Sequence, residues 1–210
     1  MKKLLFALTA LVVSLTTFAE NGLDQDWVAT FEPVTDSTEL KGIHTAAAAD
    51  GSVYVSSTYN QAFTFAGKEI ADPEGLTSAL IVKYDKDGKE LWAANMVGNA
   101  VVYALDTDAE GTLYAAGNFM DKVEYTGADG VKAEMTGSTD AYTAFIAKIS
   151  ADGKFQQVKT LASTANETVA ASMMYFPMTG EMYVTPRKIQ VEGDRIYVSV
   201  NYAGDVAELS

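Results

Sequence analysis

The sequence predicts an all-β chain assembled from repeated four-stranded antiparallel units. Three observations carry that expectation. A self-similar segment recurs at an offset of about sixty residues, Asp-Gly or Glu-Gly pairs punctuate it at matching places, and aromatic residues abound while Pro is scarce. Eleven Tyr and nine Phe against four Pro is the composition of strands on a regular scaffold.

The repeat is read by laying the chain on itself. Ala49-Asp50-Gly51-Ser52-Val53-Tyr54 aligns with Ala109-Glu110-Gly111-Thr112-Leu113-Tyr114. In the same frame Tyr59 meets Phe119, Phe63 meets Val123, Phe65 meets Tyr125 and Gly67 meets Gly127. Ala79 to Tyr84 then matches Ala144 to Ile149, and Asp87-Gly88-Lys89 matches Asp152-Gly153-Lys154, so the second copy has a loop about five residues longer. A third copy starts at Gly193-Asp194-Arg195-Ile196-Tyr197-Val198, with acid and glycine exchanged and Tyr202 at the Tyr59 position. Trp27-Val28-Ala29 sits where Trp92-Ala93-Ala94 sits, so the chain is expected to open on the last strand of one unit and close inside another.

Within a unit, Val101 to Leu105 reads as the first strand, and Val53 to Ser57 or Leu113 to Gly117 as the second, entered by a tight glycine turn. Ala79 to Tyr84 and Ala144 to Ile149 form the third, and Glu90 to Met96 the fourth. The third strand is continuously apolar rather than alternating, which implies cover on both faces. Stacked sheets provide it, as in the consecutive blades of a β-propeller; an open sandwich does not explain the repeat.

Gly111-Thr112-Leu113-Tyr114-Ala115-Ala116-Gly117-Asn118-Phe119 followed by Ala144 to Lys154, with the similar Leu80 to Trp92, resembles bacterial β-propeller repeats of secreted and surface proteins, over about residues 49–154. That resemblance implies an exported ring of blades and no single activity. Propellers close with about four to eight blades. Two full units with partial ones at both ends make an incomplete ring, to which remaining blades of the same or another chain would contribute.

Residues 1–19 read as a signal peptide and 20–210 as the repeat domain. Lys2 and Lys3 precede the apolar run Leu4 to Leu15, and Thr17-Phe18-Ala19 supplies small residues before Glu20. The run is shorter than the roughly 20 residues a spanning helix needs. The expectation is therefore export to the periplasm, cell surface or exterior, with no membrane insertion after signal cleavage. Removing residues 1–19 takes the net charge from −13 to −15. So acidic a surface repels phosphate, and nucleic acid is excluded as a partner class. Without cysteine, stability rests on a buried core rather than on disulfides.

No residue set rises to a catalytic, cofactor or metal signature. His44 is the only histidine and lies in a strand without a Gly-x-Ser-x-Gly elbow anywhere in the chain. One histidine and no cysteine argue against zinc. Asp106-Thr107-Asp108-Ala109-Glu110-Gly111 begins like a calcium loop, yet Gly117 stands where the closing Glu belongs, so it reads as a strand entering a hairpin. Gly127-Ala128-Asp129-Gly130 lacks the lysine and helix of a phosphate loop. Tyr54, Tyr114 and Tyr197 are repeat-equivalent and are assigned to the core. Lys83 and Lys148 share a position suited to a channel wall or strand edge.

The irregular stretch Ala165 to Lys188 carries about eighteen residues beyond the earlier copy. Its Tyr175, Phe176 and Met178, with Tyr183, form either a hairpin packed against a sheet or an adaptable partner-contact surface. The function class that follows is a binding or scaffold module recognising a protein or glycan through loops at one end of the blades. The alternatives are a polysaccharide hydrolase or lyase using paired carboxylates and a structural spacer.

Overall fold

The computed structural model describes residues 12–13, 27–29, 32–33, 40–65, 68–70, 73, 77–139, 142–164, 184–202 and 205–206. Among them every regular element is a strand and every strand pairing is antiparallel. At the start, β1 (Val12–Val13) pairs with β2 (Val28–Ala29), and β3 (Glu32–Pro33) follows. The first full unit contains β4 (Leu40–Ala47), β5 (Val53–Tyr59) and β8 (Ser78–Tyr84), with the hairpin β6 (Phe63–Phe65) and β7 (Lys68–Ile70) between the last two. Its fourth strand is the first half of β9 (Glu90–Thr107). The second unit runs from the other half of β9 through β10 (Leu113–Thr126), β12 (Thr143–Ile149) and β13 (Phe155–Thr164), with β11 (Lys132–Thr136) as a side hairpin. The third copy supplies the hairpin β14 (Val184–Glu192) and β15 (Arg195–Tyr202), then β16 (Asp205–Val206).

One turn design repeats through the chain. Asp85 N–H donates to Lys89 O at 2.8 Å and Gly88 N–H to Asp85 O at 3.1 Å, and the turns beginning at Ala48, Asp108, Gly127 and Ser150 make the same pair of bonds. The glycine that ends each turn has φ between +77° and +84°, the left-handed region that a side chain disfavours. The third copy, with its acid and glycine exchanged, turns differently. Glu192 pairs directly with Arg195 across a two-residue Gly193-Asp194 loop.

The units are joined more closely than the sequence suggests. Glu90–Met96 and Val101–Leu105, read as strands of different units, lie in the single 18-residue strand β9. From Leu91 to Val102 buried and less buried positions alternate without interruption, and neither Pro nor an Asp-Gly pair intervenes. The ladder therefore passes from one unit into the next, and among the described residues the main sheet is one open nine-stranded sheet rather than separate closed-ring sheets.

A backbone pairing recurs at each junction. The last strand of one unit pairs with the continuation of the second strand of the next, through Pro33 and Phe63, Gly98 and Val123, and Ser163 and Val206. On the last-strand side of each pairing the positions are 65 residues apart.

Three apolar clusters account for the continuously apolar third strands. Trp27, Val55, Leu80, Val82 and Tyr84 cover one face of the first unit. Ile81, Trp92 and Met96 meet Phe119, Phe145 and Ile149 of the second on the other face. Ala104, Tyr114 and Ala116 then meet Ile189 of the third copy. Every residue of β8 is accordingly buried. Burying one large apolar side chain of this kind stabilises by about 1.5–3 kcal/mol.

Candidate functional site

The first strand of each copy carries one extra residue at an equivalent register. In β4 the pairing with β5 shifts between Lys41 and His44, in β9 the pairing with β10 skips Tyr103, and in β14 the pairing with β15 skips Arg187. His44 faces Ser56, Ala104 faces Ala116 and Lys188 faces Ser199 directly after these bulges. A bulge bends its strand and re-aims the side chains beside it.

The three bulged strands together line a groove of about 580 Å³, whose walls include His44, Thr45, Tyr103, Asp106, Arg187 and Lys188. Arg187 and Lys188 are exposed, and neither forms an ion pair among the described residues. Asp106 is held in place, since its carboxylate accepts the Val191 N–H at 2.6 Å. Next to it Thr107 Oγ1 donates to Ala47 O at 3.0 Å, so the end of β9 ties β14 on one side and β4 on the other. His44 is half-buried, and loss of water pushes its pKa below the ordinary value, which keeps the imidazole neutral at neutral pH. The groove thus brings two basic side chains, the Asp106 carboxylate and the half-buried His44 ring together on a chain whose net charge is −13.

Other residues singled out in the sequence have structural duties. Asp108 Oδ1 accepts Glu110 N–H and Thr112 N–H, so the acidic stretch closes its own hairpin. Among the described residues no group of three or more His, Asp or Glu side chains could hold a metal ion. Lys83 and Lys148 are not on the groove wall. Their ammonium groups sit 5.0 and 5.7 Å from the ring centres of Tyr54 and Tyr114, and Lys83 Nζ also donates to Ala151 O. Tyr54 and Tyr114 are core residues as expected, but Tyr197 is 49% exposed, because no neighbouring sheet among the described residues covers it.

Tyr175, Phe176, Met178 and Tyr183 lie outside the described residues. The residues that sequence reasoning missed are Tyr103, Arg187 and Lys188. Gly42, in the left-handed region beside the first bulge, is the sole local signal, and the other two bulged strands have no counterpart to it. No family model and no curated protein matches the chain.

Proposed function

We propose that the chain is an exported binding module of β-propeller type, in which the repeat units are successive blades, and that its ligand is an acidic glycan lying across the bulged first strands. The groove carries this reading: equivalent bulges in three copies turn Arg187, Lys188 and His44 toward one polar surface. Carboxylates spaced along a sugar chain complement paired cations set among hydrogen-bonding side chains. The blade arrangement draws support from the recurrent junction pairing and from cores on both faces of the first two units. The spacer alternative calls for featureless surfaces, which fits this groove poorly. The carboxylate-pair hydrolase calls for two acids about 5–9.5 Å apart, whereas Asp106 is the single acid among the described groove-lining residues.

Titration calorimetry of the full chain with oligogalacturonate and with a neutral cello-oligosaccharide tests the reading. Binding of the acidic ligand alone, weakened by salt and at least tenfold by the Arg187→Ala/Lys188→Ala double variant, is the expected result. Equal affinity for both sugars, or no binding of either, overturns it. Turnover of the bound sugar would assign an enzyme instead.

A further inference from the structure

The groove is built from the same position three times over, with different chemistry at each. His44, Ala104 and Lys188 face Ser56, Ala116 and Ser199, each two residues after a repeat-equivalent tyrosine. The residues just before them, Ile43, Tyr103 and Arg187, fall within the three bulges, and all six line the groove. One backbone design therefore presents an aliphatic, an aromatic and a cationic side chain at equivalent points.

Their order across the groove is set by the strands. β9 lies between β4 and β14, tied to Ala47 of the one by Thr107 and to Val191 of the other by Asp106. Tyr103 is thus central, with Ile43 on one flank and Arg187, followed by Lys188, on the other. Ile43 is 39% exposed, although Ala46 and Ala48 beyond it are buried. The bulge takes it off the regular ladder, next to Gly42 in the left-handed region at φ 61°. A branched apolar side chain on the groove wall has no part in holding an anion, so an acidic ligand alone leaves it without a task.

We propose that the groove selects an acylated acidic sugar, a pyranose ring with its carboxylate on one side and an acyl ester on the ring carbon opposite. This rests on the acidic-glycan reading and narrows its ligand class. The ring lies on Tyr103, the carboxylate meets Arg187 and Lys188, and the acyl methyl packs on Ile43. A hexuronate acylated on its 2-hydroxyl has this layout, since that carbon and the carboxylate-bearing carbon are opposite corners of the ring. Asp106, held by the Val191 N–H at 2.6 Å, accepts from ring hydroxyls and disfavours a second anion there. The three copies thus act as three different subsites, which fixes the direction in which the sugar lies.

Calorimetry of the full chain with acetylated oligogalacturonate free of methyl esters, and with the same preparation after mild saponification, tests the proposal. The acetylated ligand should bind about fourfold tighter, which is what burial of one methyl group supplies. Ile43→Ser should bring the ratio of the two affinities to about one, while Ile43→Val keeps the preference. A ratio taken on one variant is unaffected by any loss of folded protein. Equal affinity of the natural protein for the two ligands, or a preference that survives Ile43→Ser, overturns this proposal and leaves the acidic-glycan reading standing. Binding of neither ligand overturns both.

Discussion

Trp92 of the first unit lies against Gly153 in a turn of the second, so closely that a Cβ on Gly153 would come within 2.9 Å of Trp92 Cδ2. Its indole Nε1 donates to Ala151 O of the same turn at 3.0 Å. Trp27 meets Gly88 in the same way, with a Cβ there 2.6 Å from Trp27 Cγ. Both tryptophans precede the turns they cover by 61 residues. Each of these two tryptophans therefore closes a hairpin of the unit that follows, which makes those turns part of the junction.

Replacement of Gly153 by Ala should consequently cost more than backbone strain alone. A side chain in the left-handed region costs about 1–3 kcal/mol, and contact with Trp92 and Ala128 adds to it. Gly130 has a similar φ of +77° with nothing near its missing Cβ. In urea titrations Gly153→Ala should lower the unfolding midpoint clearly more than Gly130→Ala, and equal shifts would mean that the Trp92 contact carries no weight.

Tyr54 gives a second prediction, for alkaline pH. Its hydroxyl donates to Gly111 O of the next unit at 2.6 Å, and burial first, then Asp50 and Asp108, pushes its pKa well above the ordinary 10. Burial does the same for Tyr84 and Tyr125. The folded state thus holds these protons after the unfolded state has released them, and the resulting stability is complete below pH 10 and is lost as pH rises beyond it. Each such tyrosine contributes a slope of up to about 1.4 kcal/mol per pH unit. Chemical denaturation between pH 8 and 11 should show the decline beginning near pH 10. Tyr54→Phe should make it shallower, while costing about 1–2 kcal/mol at neutral pH for the unpaired buried carbonyl.

His44 supplies a third. Its folded pKa lies below the ordinary 6.5 because burial disfavours the charged ring. The stability linked to the neutral ring is present above pH 6.5 and is lost as pH falls through the folded value. The same protonation adds a charge beside Arg187 and Lys188. Affinity for the acidic oligosaccharide should therefore rise on acidification below pH 6.5 in the natural protein and stay flat in His44→Gln. A flat profile in both would remove His44 from the ligand surface.

Much of the local architecture was legible in the residues. Asp87-Gly88 and Asp152-Gly153 announced turns because only glycine enters the left-handed region freely, and the run Ala79 to Tyr84 announced a strand covered on both faces. Trp27 was placed by its likeness to Trp92, and its contact with Gly88 repeats that of Trp92 with Gly153. The candidate site was scarcely legible, because a bulge at Tyr103 or Arg187 is a backbone register shift with no side-chain signature. The third-copy Tyr197 was misplaced because a repeat pattern reports what a position accepts, not whether a neighbour covers it.

The sequence by itself determined that the chain is all-β, where its strands turn, and which residues recur from unit to unit. These properties depend on side-chain alternation and on glycine, and both act within a few residues. Only the tertiary structure decided that β9 runs unbroken between units, that Pro33, Gly98 and Ser163 pair across junctions, and that His44, Tyr103 and Arg187 share one groove. Those relationships are made by main-chain hydrogen bonds and by stacking of segments far apart in the chain, where the identity of any one residue carries little of the information.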